Sequence, residues 1–224
     1  MPFALIFDVD GVITDTEPLS MRAWSRAFLD LHGLTLTAAD HLPYLGMTAR
    51  KHAEGIAAKH GRAVDTDELV AAHQENFLRE LEAAEDIVFP GVLEVFASIS
   101  KYPEWRVALA TSSGRERSEA TIRLAGVDES CLSAWITGDD VQHPKPDPEI
   151  YLCVASKLSL FPTQCVVIED SIPGAEAAKA ASMRCIAVTN SLSGEHLRMA
   201  DRIVDSLEEV SVTMLYDLVT DPAS

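Results

Sequence analysis

The chain has 224 residues, of which 47% are hydrophobic, and its formal net charge is −17. A chain of this length can bury a sizeable core in one or two domains, and it contains no apolar stretch long enough to cross a bilayer. The negative charge disfavours nucleic-acid binding, which needs a basic patch, and it requires any anion site to be locally positive. We therefore expect a soluble globular protein without nucleic-acid or membrane partners.

The N-terminal segment lacks the basic region of a secretory signal, and the four cysteines are scattered without a C-x-x-C pair. These features favour a cytoplasmic protein with free thiols, for which a monomer is the simplest assumption. His52, His60 and His73 are expected to lie partly exposed on helices, and their spacing does not favour a zinc site.

The first predicted strand is the apolar run Phe3–Phe7, which leads directly into Asp8-Val9-Asp10-Gly11. In a parallel sheet, ligands bind at the carboxyl ends of the strands. Carboxylates at positions i and i+2 of a strand point to the same side, where they repel unless a cation or proton intervenes. The pattern indicates a metal site, a nucleophile or both, although alone it also fits a solvated Asp-Gly turn.

Residues 15–88 contain predicted helices and no convincing strands, with apolar residues at the three-to-four spacing of amphipathic helices. The predicted helices are Pro18–Gly33, Thr48–His60 and Asp67–Ala84. An insertion this large after the first strand is best interpreted as a helical cap domain, although the helices could simply pack on the sheet. Because a cap excludes water from a small site, it suits small substrates.

Predicted strands and helices alternate from residue 89 onward, which implies βαβ units and a parallel sheet with both faces covered. The strands are Arg106–Ala110, Ala134–Thr137, Cys165–Ile168, Arg184–Val188 and Arg202–Val204. The helices are Val92–Ser100, Glu116–Ala125, Pro148–Leu158, Gly174–Ala181 and Leu207–Leu218. The predicted fold class is α/β, a Rossmann-like parallel sheet flanked by helices, with residues 1–14 and 89–224 as the core and residues 15–88 as an inserted all-helical cap domain.

Three further stretches place polar groups at the end of an apolar run or in a nearby loop. Thr111-Ser112-Ser113-Gly114 follows one predicted strand, Lys145 lies in a proline-flanked loop, and Glu169-Asp170-Ser171 follows another strand. With the Asp8 stretch, these resemble the four motifs of the haloacid dehalogenase superfamily. The resemblance runs from Phe3 to about Val204 and is closest to small sugar-phosphate phosphatases and β-phosphoglucomutase, a branch with a helical cap at this point.

The resemblance implies that Asp8 is a nucleophile that forms an aspartyl phosphate, while Asp10 protonates the leaving group and later deprotonates water. It also implies an Mg²⁺ site made by Asp8, the backbone carbonyl of Asp10 and Asp170, with Glu169 close by. Four carboxylates are thus expected to meet in one place, and Mg²⁺, which prefers hard oxygen ligands, would relieve their crowding.

The phosphoryl group is expected to be bound by the hydroxyl of Thr111, the backbone N–H of Ser112 and the charge of Lys145. Arg50 and Lys51, in the turn that begins at Gly46 and leads into the second cap helix, are candidates for contacts with the rest of the substrate. Arg115, just after the Thr111 loop, is a further candidate.

These features predict an Mg²⁺-dependent phosphatase of a small phosphorylated metabolite, with a sugar phosphate as the expected substrate. A dehalogenase is disfavoured, because dehalogenases of the superfamily lack the second acid that Asp10 supplies here. A β-phosphoglucomutase remains the main alternative, although similar mutases carry a histidine where this chain has Ser20. A non-catalytic phosphometabolite sensor is the third possibility.

Overall fold

The computed structural model describes residues 1–44 and 47–220, and its central element is a six-stranded parallel sheet. The strands are β1 (Phe3–Phe7), β2 (Trp105–Ala110), β3 (Leu132–Ile136), β4 (Cys165–Glu169), β5 (Arg184–Val188) and β6 (Arg202–Val204). Their order across the sheet is β3-β2-β1-β4-β5-β6, and every neighbouring pair is parallel. The predicted α/β fold class is confirmed.

In the described residues, helices α5 to α8 connect successive parallel strands, α9 follows the last strand, and four more helices fall between β1 and α5. They are α1 (Glu17–His32), α2 (Ala38–His41), α3 (Ala49–Lys59), α4 (Thr66–Glu82), α5 (Val92–Ile99), α6 (Arg115–Leu124), α7 (Glu149–Leu158), α8 (Ile172–Ala180) and α9 (Val212–Thr220). Within the described residues, none of these helices combines the length and the apolar character needed to cross a membrane.

Strand β1 lies inside the sheet and is apolar on both faces, as buried parallel strands are. Leu5 and Phe7 point into one core layer, where Phe7 stacks on Phe96 of α5 with 4.7 Å between ring centroids. Ala4 and Ile6 point into the layer on the opposite face, which includes residues of α7 and α8. Packing against both core layers holds β1 in place, and with it the polar residues that follow its last residue.

The chain divides into two compact units, Thr16–Asp86 and the remainder, Met1–Asp15 with Ile87–Ser224. The larger unit contains the sheet, and the smaller unit contains α1 to α4. In the larger unit, the two segments next to the division pair with each other: Asp15 N donates to Ile87 O at 2.7 Å, and Phe89 N donates to Ile13 O at 3.0 Å.

The smaller unit has its own hydrophobic core, in which Trp24, Phe28, Ile56 and Leu69 are almost completely buried. The expectation that His52 and His73 are partly exposed is wrong, since only 5% and 3% of their surfaces are accessible. Both imidazoles stack nearly parallel to the indole of Trp24, with ring centroids 5.1 and 3.9 Å away. The stacking, together with a polar partner for each ring nitrogen (Ser20 for His73 and His41 for His52), accommodates these two side chains inside the unit.

Two helical segments differ from the predictions. The predicted helix Leu207–Leu218 is two elements, a 3₁₀ turn at Leu207–Glu209 and the helix α9, because the backbone at Val210 is extended. The oxygen of Ser211 accepts a hydrogen bond from Met214 N at 3.2 Å and begins α9 separately. The short helix α2 was not predicted; the side chains of Thr37 and Asp40 form a capping box at its start. Gly46, where the turn before Arg50 and Lys51 is predicted to begin, lies outside the described residues.

We expect His52 to make the stability of the protein depend on pH. Burial, followed by the nearby charge of His41, lowers the pKa of His52 from 6.5 to about 4. Because folding disfavours the protonated imidazole, the contribution of His52 is complete above pH 6.5 and is lost as the pH falls toward 4. The melting temperature of His52→Gln should therefore fall less steeply over this range than that of the wild type.

His196→Gln serves as the control, because it removes an exposed imidazole from the larger unit. It should keep the wild-type slope of melting temperature against pH. Equal slopes for the wild type and His52→Gln would contradict the prediction.

Candidate active site

The predicted acidic residues lie together at the carboxyl edge of the sheet. Asp8 follows β1, Thr111 follows the neighbouring strand β2, and Asp170 follows β4 on the other side. The pairing of Phe7 with Leu109 and with Ile168 brings these three strand ends level with one another. The site is therefore built from the ends of adjacent parallel strands, where α/β proteins bind their ligands.

The centre of the site is a buried cluster of three carboxylates and one ammonium. Asp8, Glu169 and Asp170 each offer an oxygen, and these oxygens all lie within 4.8 Å of one another. Lys145 Nζ donates to Asp8 Oδ1 at 2.6 Å, to Glu169 Oε1 at 2.7 Å and to Ala110 O at 3.1 Å. These bonds use all three protons of the ammonium group.

The carboxylates differ in how they carry charge. Burial raises the pKa of Asp8 well above its ordinary value, against the opposing effect of Lys145. Burial, followed by the charge of Glu169, raises the pKa of Asp170 to about 7. Burial also acts to raise the pKa of Glu169, but Lys145 and the hydrogen bonds to Glu169 outweigh it and the pKa is lowered. Lys145 pairs with both Asp8 and Glu169, and the crowding of the three carboxylates appears as the raised pKa of Asp8 and of Asp170.

The donor chemistry of this cluster fits a divalent cation. Its ligand atoms are hard carboxylate oxygens, and one ammonium cannot balance three carboxylates in a buried place. A second group that could hold a cation is more exposed: His143 and Asp147 flank Lys145 in its loop, and Glu149 begins α7. Glu149 there already accepts hydrogen bonds from the backbone N–H groups of Gln142 and His143.

Glu169 is held by donors at both oxygens. Besides Lys145, Oε1 accepts from the hydroxyl of Tyr151 at 2.7 Å. Oε2 accepts from the backbone N–H of Asp170 at 3.1 Å, and from Ser171 through its N–H at 3.2 Å and its hydroxyl at 2.9 Å. This many hydrogen-bond donors hold the Glu169 carboxyl group in one position and favour its ionised form.

Two glycines allow these acids to lie where they do. A Cβ atom on Gly174 would overlap the carboxyl group of Glu169, and one on Gly11 would overlap that of Asp170. Gly11 also has φ of +86°, a conformation that other residues rarely adopt. Both positions therefore need glycine for reasons of space, and Gly11 needs it for its backbone as well.

The carboxyl group of Asp10 leaves the cluster, which corrects the expectation that four carboxylates meet. Strand β1 ends at Phe7, and Val9 O then accepts from Ile13 N at 2.9 Å and Thr14 N at 3.1 Å. This turn ends the alternation of a strand, so residues 8 and 10 need not face the same way. Within the described residues, the group around Lys145 contains three carboxylates.

Asp10 is instead held from the side of β2 and α6. Its Oδ2 accepts from Ser113 Oγ at 2.7 Å, with Thr111 Oγ1 at 3.5 Å, and its Oδ1 accepts from Arg117 NH2 at 3.1 Å. Thr111 is buried, and Ser112 is exposed in the same loop. The loop after β2 thus contacts the second acid directly.

Arg115 is engaged at the end of β3. Its guanidinium donates to Asp140 Oδ2 at 2.8 Å and to Trp135 O at 3.2 Å, and it lies over the Trp135 ring. Arg50 and Lys51 begin α3 of the smaller unit, where Arg50 pairs with Asp67 and Lys51 is exposed. The guanidinium of Arg115 is thus already engaged by Asp140 and Trp135, whereas Lys51 is open to solvent.

Sequence reasoning missed several residues that contact the predicted ones. Ser191 Oγ donates to Asp170, and Asn190 Nδ2 donates to Gly11 O at 2.8 Å. Both follow β5, so the rule that polar residues at strand ends belong to the site could have found them. Tyr151 and Arg117 lie on helices and carried no comparable signal.

Known proteins are similar to this chain in sequence over most of its length. The haloacid dehalogenase-like hydrolase family matches residues 4–182. The phosphorylated carbohydrates phosphatase of Thermotoga maritima is 37% identical over 199 residues, which cover 85% of this chain and 87% of that protein. The protein SUPPRESSOR OF QUENCHING 1, chloroplastic, of Arabidopsis thaliana is 35% identical over 213 residues, which cover 93% of this chain but only 20% of that protein.

Among solved structures, that of CbbY from Rhodobacter sphaeroides in complex with phosphate superposes with a TM-score of 0.85 and 29% identity. The match covers 96% of this chain and 100% of the CbbY chain. The fold and the family match together extend over the sheet and all four predicted motifs. The chain therefore belongs to the haloacid dehalogenase-like hydrolases.

Proposed function

We propose that this chain is an Mg²⁺-dependent phosphatase that hydrolyses a small phosphorylated metabolite, with a sugar phosphate as the substrate class. The observation that carries the proposal is the buried Asp8 carboxylate bonded to Lys145 at 2.6 Å, beside Asp170 and at the end of the central strand. A nucleophilic carboxylate, a fixed cation and a site for a divalent cation are what phosphoryl transfer requires. The Thermotoga maritima relative, named as a phosphatase of phosphorylated carbohydrates, supports the substrate class.

In the first step, an oxygen of Asp8 attacks phosphorus, and the bond from phosphorus to the substrate oxygen breaks. Asp10 gives its proton to the departing oxygen, and an aspartyl phosphate remains on Asp8. In the second step, Asp10 takes a proton from water, which attacks phosphorus and releases inorganic phosphate. The Asp8 carboxylate is then restored, and the separate support of Asp10 by Ser113 and Arg117 suits an acid with its own role.

The phosphoryl oxygens would be bound by Lys145, the hydroxyl of Thr111 and the backbone N–H of Ser112. Asp8, the carbonyl of Asp10 and Asp170 would hold Mg²⁺, which when bound offsets the negative charge that the phosphoryl group brings to the nucleophile. Glu169 lies in the same cluster, and its bond to Lys145 at 2.7 Å supports a role in holding that ammonium.

We further propose that the helical unit, residues 15–88 by the sequence prediction, is a cap that selects the substrate. Lys51, exposed at the start of α3, carries the positive charge that a polar or anionic substrate group would need, and Arg50 beside it would have to exchange its partner Asp67 for the substrate. Arg115 is the weaker candidate, since Asp140 and Trp135 already engage its guanidinium.

A β-phosphoglucomutase is the second candidate, because it would use the same nucleophile and acid. Ser20 stands where similar mutases carry a histidine, and its hydroxyl lies 3.2 Å from Nε2 of the buried His73. The serine is thus bonded inside the smaller unit, an arrangement that favours hydrolysis over the mutase reaction. Conversion of β-glucose 1-phosphate to glucose 6-phosphate without phosphate release would decide for the mutase.

We expect the protein to release phosphate from several members of a sugar-phosphate panel in the presence of Mg²⁺. Asp8→Asn should lower this activity by at least about a thousandfold, because an amide cannot act as the nucleophile. Asp217→Asn, which changes an exposed carboxyl group on α9, is the matched control and should keep wild-type activity. Activity retained by Asp8→Asn would overturn the assignment of the nucleophile.

Removal of divalent cations with a chelator should abolish phosphate release, and added Mg²⁺ should restore it. Asp170→Asn should raise the Mg²⁺ concentration needed for half-maximal activity by at least about tenfold, since it removes a charged oxygen ligand. Asp147→Asn is the control, because it changes the other acidic group that could hold a cation. If Asp147→Asn rather than Asp170→Asn raised the requirement, the metal site would lie in the other group.

A further inference from the structure

A largely buried arginine contacts the proposed acid of the reaction, yet none of the sequence motifs includes it and the steps above give it no task of its own. Arg117 lies on α6, and its NH2 is 3.1 Å from Asp10 Oδ1. Only 14% of its side chain is exposed, compared with 27% for Asp10. Removing a guanidinium group from water is costly unless it is paired. The burial of the Arg117 side chain beside Asp10 therefore suggests that the guanidinium group serves Asp10.

The two acids of the Asp-x-Asp pair are each assigned a different cation. Lys145, from the loop after β3, bonds to Asp8 at 2.6 Å, and Arg117 bonds to Asp10. Ser113 Oγ holds the other oxygen of Asp10 at 2.7 Å. Contacts at both carboxyl oxygens fix the orientation of the group as well as its position, which a single contact would not do.

We propose that Arg117 is a positioning residue for the reaction, which together with Ser113 orients the carboxyl group of Asp10 toward the oxygen that it protonates. The inference rests on the proposed function, in which Asp10 is the acid and base. A group that transfers a proton must lie within hydrogen-bond reach of its target, and a displacement of about 1 Å can cost about a hundredfold in rate. Arg117 adds a contact from helix α6 at the carboxyl oxygen that Ser113 does not hold.

The first test compares two leaving groups in the Arg117→Met variant. A sugar alkoxide leaves poorly without a proton, whereas p-nitrophenolate leaves readily. We expect kcat/KM to fall about tenfold for the best sugar phosphate and less than about twofold for p-nitrophenyl phosphate, because only the first needs a well-placed acid. Arg123→Met, on the exposed side of the same helix, should change neither value.

Arg117→Lys separates orientation from charge. Lysine keeps the positive charge but lacks the planar fork of donors, so it should restore only part of the activity on the sugar phosphate. Full restoration by lysine would show that charge alone matters and would overturn the positioning role. An equal loss on both substrates in Arg117→Met would do the same.

A double-mutant cycle with Asp10→Asn tests whether Arg117 acts through Asp10. In the Asp10→Asn background, adding Arg117→Met should lower the residual sugar-phosphate activity by less than about twofold. A tenfold loss in that background would overturn the inference. The proposed function fails separately, if the wild type releases no phosphate from any ester with Mg²⁺.

A crystal structure of Arg117→Met tests the orientation without any assay. We expect the carboxyl group of Asp10 to rotate away from Ser113 Oγ, so that the 2.7 Å contact of the wild-type chain is lost. An unmoved Asp10 would overturn the inference whatever the activity. If Arg117→Met does not fold, Ser113→Ala removes the other contact and should show the same dependence on the leaving group.

Discussion

The interaction on which the site depends is the bond of one buried ammonium group to two carboxylates from neighbouring strands. Burial alone would lower the pKa of Lys145, but the charges of Asp8 and Glu169 raise it above its ordinary value. The lysine therefore stays charged, and its three protons are all directed at acceptors of the sheet edge. Because an unpaired charge in this position would be very costly, the loop that carries Lys145 and the ends of β1, β2 and β4 must keep their relative places.

The acids of the site differ in the groups that hold them. Asp8 and Glu169 share Lys145, Asp10 bonds to Arg117, and Asp170 is held by the hydroxyl of Ser191. The electrostatic environments of the four carboxyl groups therefore differ, although these side chains come from only two short segments of the chain. Acids in different environments can take different roles at the same pH, as a nucleophile and a proton-transfer group require.

Much of the architecture follows from local patterns in the sequence. Short apolar runs that alternate with segments of helical periodicity predict the parallel sheet. The position of Asp8, Thr111 and Asp170 directly after predicted strands identifies them as site residues. What could not be predicted depends on backbone detail or on distant contacts. The turn at Val9 that sends Asp10 away from Asp8, and the burial of His52 against Trp24, arise from hydrogen bonds and stacking that no periodicity encodes.

The separation of the C-terminal helix into two elements has a similar origin. The apolar spacing from Leu207 onward continues smoothly, whereas Ser206 and Ser211 each provide a hydrogen bond that starts a new element. Capping bonds are local, but they compete with helix propagation, and the sequence alone did not show which would prevail. Arg117 illustrates the distant case, since 107 residues separate it from Asp10.

The two glycines beside the acids are needed for the site, but a search for functional groups would not identify them. Gly11 and Gly174 offer no functional group, yet any side chain there would occupy the space of the Asp170 or Glu169 carboxyl group. Random mutagenesis of the whole gene should therefore find these two positions as intolerant as the acids themselves. The set of amino acids tolerated at each position would then measure how closely the backbone approaches the carboxyl group. Loss of activity in a glycine variant would not imply that the glycine takes part in the reaction.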